Sequence, residues 1–134
     1  MSGPTLILDS AAFSSISRQE PSGQVILMAA LANDQRVVVP TVVLAEVMTG
    51  KANDAAHWHT LGRLVVCDAT ARIAARAGAL REHAESVRRK KRDLTVDAIV
   101  ASTAMEYAPA VILTADVGDM SLLLSSPEIR VVQV

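Results

Sequence analysis

The sequence predicts an α/β domain built on a mainly parallel, five-stranded sheet. Short aliphatic runs alternate along the chain with longer segments whose apolar residues recur at helical spacing. Continuous apolar runs are typical of parallel strands that helices cover on both faces. The chain has 134 residues, of which 51% are hydrophobic, so it is long enough for a real core. We therefore expect a single domain over residues 1–134.

The short apolar runs are predicted as strands over residues 5–8, 36–39, 64–67, 111–114 and 129–132. The segments between them are predicted as helices. Ser22 suits the N-cap of a helix over residues 22–33, and Pro40 suits the start of a helix over residues 41–50. An Ala-rich helix is expected over residues 69–89, a further helix over 95–107, and partly helical structure over 51–62.

Composition limits the classes of function. The formal net charge is −1, so the chain as a whole implies no polyanionic partner. It has one Phe, one Trp and one Tyr, which argues against an aromatic platform for base stacking. Cys67 is the single cysteine and allows no internal disulfide. Because no apolar run reaches the roughly 18 residues of a membrane span, and no signal peptide is recognised, we expect a soluble cytoplasmic domain.

Acidic residues follow the predicted strands at equivalent places. Asp9 and Asp116 lie just past the carboxyl ends of two strands, which meet at the same edge of a parallel sheet. Asp97 lies in the first turn of a predicted helix and can approach that edge. Glu46 lies within an otherwise apolar helix, so we expect it on the core side of that helix or at its border.

Carboxylates that converge must share protons, meet helix dipoles or bind a cation, because like charges repel. Ligand sets made only of oxygen atoms select hard ions such as Mg²⁺ or Mn²⁺, and no cysteine and histidine spacing typical of zinc is present. Such an ion can activate water and stabilise the charge that develops on a phosphate. The four acids therefore point to metal-dependent cleavage of phosphodiesters.

Each acid also has a structural interpretation that stays open. Asp9 can simply cap the following helix, Asp97 can serve the helix dipole, and Asp116 can be a turn residue. Asp68 is the comparison case, because it also follows a predicted strand but precedes an ordinary helix entry.

Four segments together resemble the PIN-domain family. They are LILDSAA (6–12), VVLAEV (42–47), LTVDAIVASTA (94–104) and ILTADVGD (112–119). The short length is similar to that of VapC toxins of type II toxin–antitoxin pairs. The resemblance implies a PIN-like three-layer α/β/α fold and an endoribonuclease that depends on Mg²⁺ or Mn²⁺.

The resemblance also implies roles for individual residues. The family's four acids fall on Asp9, Glu46, Asp97 and Asp116, with Asp9, Asp97 and Asp116 as the metal ligands. Ser10 and Thr114 match hydroxyl positions that could orient the carboxylates. Asp119 departs from the pattern, because the family often has a further acid two residues after the fourth, whereas Asp119 lies three residues after Asp116.

The partners implied by the resemblance are an RNA substrate, a VapB-like antitoxin and a second copy of the chain in a homodimer. Trp58, the apolar residues near Met28, and residues 122–124 are candidate interface positions, with core packing the favoured interpretation of each. The basic run from Arg88 to Arg92 has two open interpretations, contact with RNA phosphates and a solvated helix end.

Two rival functions remain. A metal-dependent phosphatase would fit a similar fold, but Ser10 and Ala11 follow Asp9 without the second Asp of a nucleophile motif. A non-catalytic regulatory module could use the same acids to hold a metal or a partner's arginine.

Overall fold

The computed structural model describes residues 3–87 and 92–134 and contains, within them, a five-stranded parallel sheet. The five predicted strands are confirmed with small shifts in their ends: β1 (Thr5–Leu8), β2 (Val37–Pro40), β3 (Val65–Cys67), β4 (Ala110–Thr114) and β5 (Ile129–Gln133). The strand order is β3-β2-β1-β4-β5, and every pairing is parallel. The sheet therefore agrees with the predicted fold class.

In the described residues, seven α-helices flank the sheet: α1 (Ser10–Ser17), α2 (Pro21–Ala32), α3 (Thr41–Val47), α4 (Ala55–Leu61), α5 (Ala71–Val87), α6 (Thr95–Glu106) and α7 (Val117–Leu123). A short 3₁₀-helix, Ala52–Asp54, precedes α4. Helices α1 and α7 were not among the predicted segments. Both are short, and each begins directly after an aspartate that caps it, Asp9 for α1 and Asp116 for α7.

The core lies along the sheet, where the aliphatic strands are shielded from water on both faces. Ile7, Val38 and Ile112 are fully buried, and Phe13 of α1 packs with them in the same apolar cluster. Gly23 of α2 permits a close approach between helices, because a Cβ there would lie 2.6 Å from Ser15 Oγ and 3.0 Å from the Ile16 amide nitrogen. Helix α2 therefore lies directly against α1.

Part of the predicted core packing is wrong. Trp58 of α4 is 63% exposed, and Met28 of α2 is 56% exposed. Val25, which lies on the same surface of α2 as Met28, is exposed as well. Leu123 is buried as expected, whereas Leu122 is exposed. None of the helices in residues 3–87 and 92–134 is both long enough and apolar enough to cross a membrane.

The strand order fixes where a site can form. Strand β1 lies between β2 and β4, so the chain leaves β1 in one direction and returns on its other side to form β4. The carboxyl ends of β1 and β4 are adjacent, since Leu8 is in register with Leu113. Ligands of open parallel sheets bind at such a reversal point. Asp9 and Asp116 therefore both lie at the expected position.

Candidate functional site

The structure brings Asp9, Glu46, Asp97, Asp116 and Asp119 together at this edge, and we refer to these five residues as the acidic cluster. Asp9 follows β1, and Asp116 follows β4. Glu46 is supplied by α3, Asp97 by the first turn of α6, and Asp119 by the first turn of α7. The clearest sign of convergence is electrostatic, because the charges of Asp9, Asp119 and Glu46 all act on Asp97.

Asp9 is held firmly at the end of β1. Its side chain is 6% exposed, and Oδ1 accepts a hydrogen bond of 2.8 Å from the Ala12 amide, which caps α1. Burial raises the pKa of Asp9, while hydrogen bonds from the Thr114 hydroxyl and the Ala12 amide act in the opposite direction. The capping interpretation is thus correct, and it does not remove Asp9 from the site.

Thr114 connects the two post-strand acids. Its hydroxyl interacts with the Asp9 carboxylate and also accepts a hydrogen bond of 3.0 Å from the Asp116 amide. Asp116 Oδ1 in turn accepts a hydrogen bond of 3.0 Å from the Asp119 amide. A single hydroxyl at the end of β4 therefore fixes the spacing between Asp9 and the start of α7.

Glu46 lies at the border of the cluster and is exposed. Of the two expected positions, the core side of the helix and its border, the structure has the border. The Ser10 hydroxyl donates a hydrogen bond to Glu46 Oε1, which joins α1 to α3. An open groove of about 500 Å³ adjoins this pair, and its lining includes Ser14, Arg18 and Glu20. The groove carries both signs of charge.

Asp97 is buried among the other acids of the cluster and interacts with three of them electrostatically. Burial raises the pKa of Asp97, the Arg92 guanidinium lowers it, and the charges of Asp9, Asp119 and Glu46 raise it further. Asp97 Oδ2 is buried and has no hydrogen-bond partner of good geometry. The Nη2 atom of Arg92 lies 3.1 Å from this oxygen.

Arg92 was not among the residues predicted to belong to the site. Its Nη1 lies 3.2 Å from Asp116 Oδ2, and it donates a hydrogen bond to Asp119 Oδ2 as well. Burial alone would lower the pKa of Arg92, but its contacts with Asp119, Asp97 and Asp116 raise it. The sequence signal was present, since Arg92 ends the basic run; residues 88–91 of that run lie outside the described residues.

The acidic cluster offers carboxylate oxygens as ligands, and such oxygens suit a hard divalent ion. In residues 3–87 and 92–134, however, no three Asp, Glu, His or Cys side chains are arranged to hold one metal ion together. His57 lies elsewhere, buried beside Phe13 with the ring centroids 5.5 Å apart. Metal binding would therefore require the carboxylates around Arg92 to reorient.

Asp68 provides the contrast that sequence alone could not supply. It follows β3, which is the outermost strand on its side of the sheet, and its side chain is exposed. The position of a strand within the sheet therefore separates Asp68 from Asp9.

Comparisons with known proteins identify the fold. A family model described as PIN domain matches residues 6–118. A chain of VapBC2 from Rickettsia felis, in a crystal structure with a DNA fragment from its promoter, is similar with a TM-score of 0.69 and 16% identity; the match covers 97% of this chain and 98% of that one. DNA-bound VapBC from Salmonella typhimurium is similar with a TM-score of 0.67 and 18% identity over 98% of both chains.

A chain of a toxin–antitoxin complex from Klebsiella pneumoniae is also similar, with a TM-score of 0.66 and 19% identity over 93% of this chain and 95% of that one. At these identities, the likeness to solved structures establishes the fold. The search of curated proteins gave no match.

Proposed function

Because this chain belongs to the PIN domain family, we propose that it is a nuclease, specifically an endoribonuclease that uses Mg²⁺ or Mn²⁺ and acts as the toxin of a type II toxin–antitoxin pair. The observation that carries the proposal is the acidic cluster, which gathers carboxylates from four separate segments at the β1 and β4 edge. Carboxylates gathered this closely raise one another's pKa, as they do for Asp97, so a function that uses their charge is favoured.

Asp9, Asp97 and Asp116 are the residues we propose to hold the divalent ion. When bound, the ion would activate water and stabilise the charge that develops on the phosphate. Thr114 positions Asp9 and Asp116 relative to each other through its hydroxyl. This positioning makes Thr114 a supporting residue that orients the ligands.

Glu46 is proposed to orient the attacking water. Ser10 donates a hydrogen bond to Oε1 of Glu46, which leaves Oε2 available to accept a hydrogen bond from a water molecule in the groove. A water held in line with the leaving oxygen of an RNA phosphodiester would meet the geometric requirement for displacement at phosphorus.

We also propose a VapB-like antitoxin and a homodimer as the protein's partners. The similar solved structures are toxin–antitoxin complexes, which supports an antitoxin. Trp58, Val25 and Met28 are large apolar side chains exposed on α4 and α2, and a protein partner would bury them.

The decisive experiment incubates the purified chain with RNA in Mn²⁺, with and without EDTA. We expect Asp9→Asn to lose about 100-fold or more in cleavage rate, because a ligand to the ion is weakened. The matched control is Asp68→Asn, which also changes an aspartate after a strand but lies outside the acidic cluster; it should cleave like the wild type.

Three outcomes would contradict the proposal. Cleavage by Asp9→Asn at the wild-type rate would indicate a contaminating nuclease or a different site. Cleavage that persists in EDTA would remove the metal dependence. Release of inorganic phosphate from a phosphomonoester, without cleavage of RNA, would favour the phosphatase alternative.

A further inference from the structure

Arg92 lies among three carboxylates of the acidic cluster. Its Nη2 is 3.1 Å from Asp97 Oδ2, and its Nη1 is 3.2 Å from Asp116 Oδ2 and also contacts Asp119 Oδ2. One guanidinium thus joins the first turn of α6 to the N-terminal end of α7. The planar, delocalised charge of arginine suits such a bridge, because its two terminal nitrogens reach different carboxylates at once.

Two of the carboxylates that Arg92 contacts, those of Asp97 and Asp116, are proposed ligands of the divalent ion. Mg²⁺ binds its oxygen ligands at about 2.1 Å and keeps a compact shell of them. An ion held by the carboxylates of Asp97 and Asp116 would compete with the guanidinium for their oxygens. Two cations beside the same carboxylates would also repel each other. Binding of the ion would therefore oppose the contacts of Arg92.

We propose that Arg92 is an internal competitor for the divalent ion, so that the ion binds only when this side chain withdraws. The inference rests on the proposed function in one respect, because it takes the acidic cluster to be the metal site. Its consequence is a weaker affinity for the ion than the carboxylates alone would have, and a site whose activity depends on where Arg92 lies.

The burial of the partners supports a reversible contact. The side chains of Asp97 and Asp119 are 15% and 12% exposed, whereas those of Arg92 and Asp116 are 48% and 51% exposed. A half-exposed guanidinium regains water readily when it leaves. The buried carboxylates do not, and they then need another cation. The arrangement thus favours replacement of the Arg92 guanidinium by another cation. Withdrawal of Arg92 without a replacement would leave the buried carboxylates with less positive charge beside them.

A purely structural role is the competing explanation, in which Arg92 only fastens α6 to α7. The two roles predict opposite effects on the affinity for the ion. A fastener helps to preform the site, so removing it would weaken or leave unchanged the binding of the ion. A competitor opposes the ion, so removing it would strengthen binding.

The test is calorimetric titration of Mn²⁺ into the full chain after treatment with EDTA and dialysis. We expect Arg92→Gln to bind Mn²⁺ about tenfold or more tightly than the wild type, since several partly exposed ion pairs no longer compete. The matched control is Arg81→Gln. Arg81 belongs to α5, and its Nη1 lies 3.4 Å from Thr95 Oγ1 at the start of α6. This change therefore removes a nearby positive charge whose contact is with Thr95 and not with a carboxylate of the cluster.

Arg92→Lys provides the second variant in case Arg92→Gln does not fold, as judged by its melting curve. Lysine keeps the charge but cannot span several carboxylates, so we expect Mn²⁺ binding tighter than in the wild type by a smaller factor. Mn²⁺ affinity in the folded Arg92 variants that is no higher than in Arg81→Gln would overturn the inference. Failure of every variant to bind Mn²⁺ would overturn it too.

RNA cleavage measured on the same samples separates this inference from the proposed function. Tighter Mn²⁺ binding by the Arg92 variants without cleavage by any sample would leave the inference standing and reject the nuclease. Cleavage by the wild type, with Mn²⁺ affinity unchanged in the Arg92 variants, would reject the inference alone.

Discussion

Asp54 holds the loop that follows α3, the helix that carries Glu46. Its Oδ2 accepts hydrogen bonds from the Thr49 and Gly50 amides at 2.9 and 2.7 Å, and its Oδ1 accepts one from the Thr49 hydroxyl at 3.0 Å. Gly50 has a φ of +76°, a conformation that side chains with a Cβ rarely adopt. One carboxylate thus fixes the path of the chain where α3 ends.

The protonation of Asp54 should be visible in the stability of the protein. Burial alone would raise the pKa of Asp54, but hydrogen bonds from Thr49 and Gly50 outweigh it and hold the pKa below the ordinary value of 3.8. The ionised group therefore stabilises the fold above about pH 4, and this contribution is lost as the pH falls through the lowered pKa. We expect Asp54→Asn to be less stable than the wild type at pH 7, with a smaller difference near pH 3.

Urea unfolding at the two pH values measures this effect. An equal loss of stability at both would show that the charge of Asp54 is irrelevant. Asp68→Asn is a suitable reference, because Asp68 is exposed after β3.

At the level of single residues, the sequence identified the post-strand acids because their position follows from chain direction alone. It could not identify Arg92, because a basic run gives no information on which of its side chains turns back toward the protein. The role of Asp119 was in doubt, because it lies three residues after Asp116 where the family often has an acid two residues after. In the structure, its amide donates a hydrogen bond to Asp116, and its carboxylate accepts one from Arg92. Which carboxylates converge depends on how α7 starts, a detail that follows from tertiary structure.

The contact between α5 and α6 holds in place the helix that carries Asp97. Arg76 donates hydrogen bonds from Nε to Ser102 Oγ at 2.9 Å and from Nη2 to the Ser102 carbonyl at 2.7 Å. Ser102 is fully buried, and its hydroxyl also donates to the Ile73 carbonyl. Arg76 lies 3.3 Å from Glu106 Oε1 as well, so one side chain joins the two helices at several points.

Replacing Arg76 by Ala should therefore destabilise the protein by about 2 kcal/mol, because buried groups of Ser102 lose charged hydrogen-bond partners. Arg72→Ala is the matched control. Arg72 pairs with the same Glu106 at 3.4 Å but its side chain is 77% exposed, so we expect a loss of at most about 0.5 kcal/mol. Equal losses in thermal or chemical unfolding would mean that the contacts with Ser102 contribute little.

Among the elements, the sequence predicted the strands and the longer helices well, because their apolar runs and Ala-rich segments are strong local signals. It assigned no helical range to α1 or α7, although the capping interpretation of Asp9 implied a helix after β1. α1 reads SAAFSSIS, and its serines obscure the apolar face formed by Phe13 and Ile16. The usable signals were Asp9 and Asp116, because aspartate is a good helix cap. Both were interpreted as candidate site residues more than as helix starts.

For the whole molecule, the central pair of strands supports both the core and the site. Ile7 and Ile112 are opposite each other in β1 and β4, and both are fully buried. The strands that contain them end at Asp9 and just before Asp116. A loss of packing at this pair should therefore weaken the fold at the point where the acidic cluster is assembled.

Ile7→Ala should cost about 3 kcal/mol of unfolding free energy, because it leaves a cavity in the middle of the sheet. Val25→Ala is the reference substitution, since Val25 is 68% exposed and its truncation should change stability by less than about 0.5 kcal/mol. Urea unfolding followed by circular dichroism measures both. A small loss for Ile7→Ala would indicate that the centre of the sheet repacks.

At this scale, the sequence predicted a parallel sheet but not the order of its strands. Pairing of β1 with β4 joins segments far apart in the chain, and no local pattern encodes such a choice. The order nevertheless decides where the acidic cluster forms, since it places Asp9 and Asp116 together and leaves Asp68 at the side.

The central position of β1 also has a consequence during synthesis. When β1, α3 and even α6 have emerged from the ribosome, one edge of β1 still awaits β4, which follows α6 in the chain. Asp9 then has neither Thr114 nor Asp116 beside it. A nascent chain therefore carries an incomplete set of acids, and the proposed nuclease would be inactive until β4 and α7 have been made.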